Sequence, residues 1–362
     1  MKILHVRNAH TALPHALHLL EECGIRRDSR NGPVLQAPWP VTTVYEKPCE
    51  RVMFWPERDA NPFFHLYEAL WMLAGRNDVA PLERYVKKSI DYSDDGKTLH
   101  GAYGYRWRRE FSHYCRRTGV KDDQLEVIAS RLKENPEDRR CVLQMWDTRI
   151  DLDRQGKDVP CNTIATFQRG IEGELNLVVF NRSNDIIWGC YGANVVQFSF
   201  LLEYMAAWIG CPIGTYTQVS VNWHAYDNEV WKQVSAVRPD RMNHVSNPYQ
   251  MGASSVRHIP MADGVADTDH YIKVILNMAD TGVWKEDMFI HPWPKMVYHV
   301  LKAHHVFKTE TGSAKYLSAL HELTLSEHTD ADWVSAAGAW ILRRYSIWNN
   351  KQNLLSGNLE HP

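Results

Sequence analysis

Apolar residues recur along this chain with two different periods, and each switch of period marks a change of element. The segment "NPFFHLYEALWMLAGR" is apolar at helical spacing. Asn61 sits where a helix cap belongs, Pro62 at the first helical position and Gly75 at the stop, so the pattern predicts a buried helix. "QLEVIASRLKENPEDRR" puts Leu125, Ile128, Ala129 and Leu132 on one face and breaks at Asn135-Pro136, which predicts an amphipathic surface helix. "RRCVLQMWD", "NTIATFQRG" and "ELNLVVFNR" are short and rich in β-branched and aromatic residues, and are expected to be strands. "NVVQFSFLLEYMAAWIG" predicts a second buried helix, and "TYTQVSVNWHAYD" another strand. Past about residue 260 the strand signals stop. "DTDHYIKVILNMAD", "WPKMVYHVLKAHHVFK", "SAKYLSALHELT" and "ADWVSAAGAWILRRYSIW" all carry the helical period. The expected organisation is a sheet-bearing α+β domain over 1–260 and a mainly helical extension over 261–362, divided in "MGASSVRHIPMADG".

One stretch violates its own pattern. In "VVFNRSNDIIWGCYGAN" an apolar strand runs into Asn181, Arg182, Ser183, Asn184 and Asp185 before Ile186 and Ile187 resume. Five polar side chains in a buried-looking segment need partners, or a ligand.

Composition narrows the chemistry. The chain has 362 residues, 44% of them hydrophobic, and a net charge of −2 with the two signs interspersed. That balance gives no electrostatic footprint for a nucleic acid polymer, although a few arginines suffice to hold one phosphate. No run approaches the roughly 18 apolar residues of a membrane span, and "MKILHVRNAHTALPHALHLL" lacks the order of a secretion signal, so the expectation is a cytoplasmic protein with no membrane partner. Seven scattered cysteines (23, 49, 115, 141, 161, 190 and 211) form no C-x-x-C pair, and no H-E-x-x-H or comparable spacing occurs, so neither a disulfide framework nor a metal is indicated.

Three features stand out. Cys161 follows Pro160 at the entrance to a strand, where it is either a small buried apolar residue or a thiol facing a cleft. Glu68 lies one helical turn from Phe64 and from Trp71, so it either reaches solvent at the edge of the face or is a buried carboxylate with a raised pKa. Arg139-Arg140 are ordinary surface charges or a fork for phosphate.

Taken together, "HLYEALWMLAGRND", "GAYGYRW", the double arginine, "PCN", "NRSND", an Asn opening an apolar helix and "NWHAYDN" resemble, in order and spacing, the thymidylate synthase and deoxynucleotide hydroxymethylase family. The resemblance covers about residues 25–230. It implies a thymidylate synthase-like α+β fold with a large mixed β-sheet flanked by helices, and a homodimer. It implies transfer of one carbon from 5,10-methylenetetrahydrofolate, a co-substrate, to C5 of a deoxypyrimidine monophosphate. By the resemblance Cys161 is the nucleophile that adds to C6, and Arg182 binds the phosphate and lies near the sulfur. Arg139 and Arg140 reach the phosphate from the partner subunit. Arg30 is a further phosphate ligand, with Arg27 as a rival, and Ser183 also touches phosphate. His224 and Tyr226 bind the sugar 3′-hydroxyl, and Asp185 with Gly189 belongs to the folate site. Glu68 organises water beside O4, Tyr103 assists removal of the C5 proton, and Asn194 reads the base, where Asn goes with uracil and Asp with cytosine.

Departures from the family pattern bear on substrate and product. "GCYGAN" holds one residue more before Asn194 than the family pattern. An amide can also turn either way, so uracil is favoured by the Asn without being fixed by it. Synthases keep water from the exocyclic methylene with a tryptophan before the "YG" motif and with a C-terminal tail. Here "VKKSIDYSDDGKTLHGAYG" has no tryptophan, and the chain ends in "LLSGNLEHP". Asn162 also replaces the histidine after the synthase nucleophile, and "RSND" stands for "RSCD". The resemblance with these departures implies a dUMP 5-hydroxymethylase, with thymidylate synthase second and a dCMP-modifying enzyme third. A nucleotide- or RNA-binding regulator without turnover is the alternative of another class. Making a modified DNA precursor is a task a DNA virus would need.

Overall fold

A computed structural model describes residues 1–111, 113–114, 121–237, 247–261, 264–285 and 289–355. The first elements are a strand, β1 (Lys2–Val6), and a helix, α1 (Ala9–Cys23). Asn8 opens α1 with a reciprocal cap: its side chain accepts from the Thr11 amide, and the Thr11 hydroxyl accepts from the Asn8 amide. Pro14 lies inside this helix and cannot donate to the His10 carbonyl, which accepts instead from the Trp55 indole at 2.8 Å. Strands β2 (Ile25–Arg27), β3 (Val34–Gln36) and β4 (Val41–Tyr45) follow, then the expected helix α2 (Pro62–Leu73), capped by Asn61. A small ribbon of β5 (His113–Tyr114) and β6 (Lys121–Asp122) precedes α3 (Gln124–Glu134).

The remaining strands are β7 (Val142–Gln144), β8 (Asn162–Arg169), β9 (Leu175–Asp185) and β10 (Ile213–Tyr226), with helix α4 (Asn194–Ile209) between the last two. They form a mixed sheet in the order β1-β4-β10-β9-β8-β7, with β3 also on β10 and β2 on β3. β10 runs parallel to β9, while β9–β8 and β8–β7 are antiparallel. Beyond residue 260 come α5 (Val265–Thr281), α6 (Pro292–Thr309), α7 (Ala314–Thr324) and α8 (Asp332–Leu355). The four helical expectations for this region hold.

Most buried apolar residues of the sheet domain and of α5 to α8 belong to one continuous core. α5, α6 and α8 all pack on α2. On the uncovered face of the sheet, Val142, Ile164, Phe180 and Val221 lie at least 36% exposed on four neighbouring strands. A buried charge knot ties the extension to the core. Glu203 on α4 accepts from Arg51, from His258 Nε2 at 2.9 Å and from the Met261 amide at 2.9 Å. Tyr249 donates at 2.8 Å to Asp332, the first residue of α8.

The anomalous stretch resolves into strand and a wide turn. β9 continues through the five polar residues to Asp185, and Ile186–Ala193 then forms a π-helical passage, broken at Gly192, into α4. The stretch "GCYGAN" thus spans the end of this passage and the first residue of α4.

Candidate active site

A cleft of about 630 Å³ opens at the ends of β8, β9 and β10. Cys161 lies at its wall directly before β8, as its position after Pro160 suggests. The guanidinium of Arg182 is held by the carbonyls of Pro160 at 2.8 Å and Val159 at 3.1 Å, which brings its Nη2 to 3.9 Å from the Cys161 sulfur. Burial pushes the Cys161 thiol up, the Arg182 charge draws it down, and the result is a thiol above its ordinary value. Arg30 donates to the carbonyls of Gly156 at 3.2 Å and Lys157 at 3.4 Å and also lines the cleft, whereas its rival Arg27 is exposed on β2. Ser183, His224 and Tyr226 line the same cleft. Of the expected residues the cleft therefore gathers Arg30, Arg182, Ser183, His224 and Tyr226 beside the Cys161 thiol, and Arg154 and Tyr92 line it as well, a donor set suited to a phosphorylated ligand next to a nucleophile.

The other expected residues sit behind this wall. The hydroxyl of Tyr103 accepts from the amides of both Cys161 and Asn162 at 3.1 Å, so it supports the backbone that carries the nucleophile. Its neighbour Gly104 packs so closely on α2 that a Cβ would come 1.7 Å from the Met72 carbonyl, and only glycine fits. Glu68 is partly covered, with its Oε2 shut off from solvent and unpartnered. Burial pushes its carboxyl up to about 7, against a lowering contribution from the Gln197 side chain one turn after Asn194. Asn194 donates to Asn184 Oδ1 at 3.0 Å and accepts from Asn162 Nδ2 at 3.3 Å. Gly189 borders this contact, because a Cβ there would lie 2.8 Å from Asn184 Oδ1.

Asp185 caps the π-helical passage by accepting from the amides of Ile187 at 2.9 Å and Trp188 at 2.6 Å, while its Oδ2 is buried without a partner. Burial raises this carboxyl, and the neighbouring amides and His224 oppose the rise. A shielded carboxylate oxygen lacking a donor fits the paired N–H groups of a pterin ring. A second opening of about 840 Å³ shares Arg30, Tyr92 and Tyr226 with the first and runs past Trp188, whose ring lies under the Arg58 guanidinium at 4.4 Å.

Arg139 and Arg140 do not join the cleft of this chain. Both are exposed just before β7, and Arg140 pairs with Asp138 at 2.8 Å. The sequence reading missed Trp146, Asp158 and Asn222, which also line the cleft. Trp146, in "QMWD" shortly after the double arginine, was the most visible of them. The tail "LLSGNLEHP" passes beyond residue 355, and Cys115 lies in 115–120; both fall outside the described residues. For a metal, the described residues offer one group, Cys49, Glu203 and His258, with ligand atoms within 4.8 Å of one another. Glu203 there is already taken up by Arg51, His258 and the Met261 amide.

The mixed sheet with a thiol, arginines and a shielded carboxylate at its strand ends has the chemical make-up of a site that holds an anionic ligand beside a nucleophile, as enzymes of covalent catalysis do. The sequence model of the family described as thymidylate synthase matches residues 59–247. A protein of Pseudomonas phage M6 named deoxyuridylate hydroxymethyltransferase is 46% identical over 357 residues, 97% of each chain. Proteins of the same name from Bacillus phage SP01 and Delftia phage PhiW-14 are 38% identical over 191 residues (52% of this chain, 49% of theirs) and 28% identical over 180 residues (47% of each). The chain belongs to the thymidylate synthase family.

Proposed function

We propose that this enzyme is a deoxyuridylate 5-hydroxymethylase, converting dUMP, methylenetetrahydrofolate and water into 5-hydroxymethyl-dUMP and tetrahydrofolate. The observation that carries this reading is the near-full-length identity to the Pseudomonas phage protein, extension included. The side chains have tasks to match. Arg30, Arg182 and Ser183 hold the phosphate, and His224 with Tyr226 holds the 3′-hydroxyl. Cys161 adds to C6 as thiolate, which turns C5 into a carbon nucleophile. Folate supplies the one-carbon unit, and Asp185 with Gly189 forms the part of the site that receives its pterin. Glu68 and Tyr103 manage protons and water at the base, and Asn194 reads its edge. The domain over 1–260 carries the chemistry, and α5, α6 and α8 of the extension over 261–362 brace α2, the helix that bears Glu68. No helix among the described residues is long and apolar enough to cross a membrane, and the phage relatives support action in the cytoplasm of an infected host.

The working unit is a homodimer. The uncovered apolar residues Val142, Ile164, Phe180 and Val221 support it, since sheet faces of this kind pair with one another. In that dimer Arg139 and Arg140 enter the partner's cleft; their exposure just before β7 supports this reading.

Incubating the enzyme with methylenetetrahydrofolate and dUMP or dCMP, and weighing the nucleotide, tests the reading. A gain of CH₂O on dUMP supports it; a gain of CH₂ makes the enzyme a synthase, and modification of dCMP alone makes it a cytosine enzyme. Cys161→Ala is expected to abolish turnover and keep dUMP binding within about threefold, because the thiol contributes chemistry and little of the ground-state hold. Retained turnover would remove Cys161 from the nucleophile's role.

A further inference from the structure

The polar cluster continues into the core as a single directed row of hydrogen bonds. Asn181 Nδ2 donates to Asn162 Oδ1, its cross-strand partner. Asn162 Nδ2 donates to Asn194 Oδ1 at 3.3 Å, Asn194 Nδ2 to Asn184 Oδ1 at 3.0 Å, and Asn184 Nδ2 to Ser220 Oγ at 3.0 Å. Ser220 lies in hydrogen-bonding contact with Cys190, whose sulfur donates to Gln218 Oε1 at 2.8 Å, and Gln218 Nε2 donates to the Tyr216 hydroxyl at 2.8 Å. All four asparagines are buried.

An isolated asparagine turns its amide over freely, which is why Asn194 by itself cannot choose between uracil and cytosine. In a head-to-tail row the choice is shared. Turning one amide sets two N–H groups or two oxygens against each other, and in a buried site that mismatch is costly.

We infer that Asn162 and Asn184 are positioning residues that fix the orientation of the Asn194 amide, leaving one N–H and one lone pair aimed as uracil requires and cytosine does not. The inference rests on the role proposed for Asn194. It gives two of the family departures, Asn162 and the Asn of "RSND", a shared task, and it gives Gly189 its reason, because any side chain there would displace Asn184 Oδ1. Asn162 follows the nucleophile directly, so the row also links base recognition to the residue that attacks.

The test applies one substitution at two points with opposite expectations. An ionised carboxylate only accepts. Asn184→Asp replaces a group that already accepts from Asn194, so the orientation survives. Asn162→Asp replaces the donor to Asn194 with an acceptor, so Asn194 must turn over. We measure Kd for dUMP and dCMP without folate at pH 8. The wild type is expected to favour dUMP, Asn184→Asp to keep the ratio within about threefold, and Asn162→Asp to move it toward dCMP by about tenfold or more, the scale of one buried hydrogen bond. Equal shifts in both variants, or none in Asn162→Asp, overturn the inference, as does a wild type that favours dCMP or neither base. If Asn162→Asp does not fold, Ser220→Ala decides: loss of the acceptor for Asn184 Nδ2 is expected to lower the ratio about threefold, and an unchanged ratio overturns the inference. Because the readout is binding, a wild type that favours dUMP yet yields a methylated product refutes the hydroxymethylase reading and leaves the row in place.

Discussion

Glu68 illustrates how burial creates chemistry at one residue. Its helix places it beside an apolar face, and the packing of α2 against α4 closes over Oε2, so the carboxyl is moved from 4.5 to about 7. The sign follows from that direction. The unfolded chain ionises near 4.5 and the folded one near 7, so the fold is progressively penalised as pH rises between them, and fully above 7. Glu68→Gln is therefore expected to unfold at a higher temperature than wild type at pH 8 and at about the same temperature at pH 4.5, while one-carbon transfer falls by about a hundredfold or more. Calorimetry at the two pH values and turnover at one check this. A variant with no stability gain at pH 8 would mean that Glu68 is not held in a shielded site. Of the residue-scale features, Cys161 and Glu68 stood out by type and position, whereas particular tasks for Arg182 and Asp185 came only with the family resemblance. The raised pKa values of Cys161, Glu68 and Asp185 were not legible, because they depend on what other elements bring within a few ångströms.

At the scale of elements, the strongly periodic segments formed as their patterns predict, while α1 went unread. Its Pro14 argues against a helix, and the compensating donor, Trp55, lies 45 residues away. The segment around residues 247–261 is a second case in which distant partners decide. His258 meets Glu203 there, and although burial lowers an imidazole, the carboxylate lifts this one from 6.5 to about 10. Its contribution to stability is present in full below about pH 6.5 and disappears as pH rises through 10. Glu203 is held at about 2 despite burial, by His258 and Arg51, so its own contribution is lost only as pH falls below 4.5 toward 2. His258→Gln is expected to lower the unfolding midpoint at pH 6, by an amount that shrinks to almost nothing above pH 10. A constant offset at both pH values would show that His258 acts through packing alone.

For the whole molecule, one site draws on two chains in the proposed dimer. Mixing Cys161→Ala with the Arg139→Ala/Arg140→Ala double variant, each inactive alone, is expected to restore about a quarter of wild-type activity after subunit exchange. Half of the random dimers are mixed, and each has one intact site of two. No recovery would place Arg139 and Arg140 outside the partner's site. Phe180→Asp, which puts a charge on the uncovered sheet face, is expected to give monomers by sedimentation and to lose that recovery.

The sequence by itself determined the strongly periodic helices and strands, marked Cys161, Glu68 and the polar run 181–185 as departures from their patterns, and through the order of its motifs showed which family the chain resembles. Those properties reside in residue type and short-range spacing. Only the tertiary structure decided how "GCYGAN" joins strand to helix, and which partners the Asn194 amide takes. The first depends on a π-helical passage between strand and helix, the second on a row of amides from β8, β9 and α4 that meet only when the sheet closes. Hydrogen-bond direction in a buried network belongs to the network, and no single position along the chain encodes it.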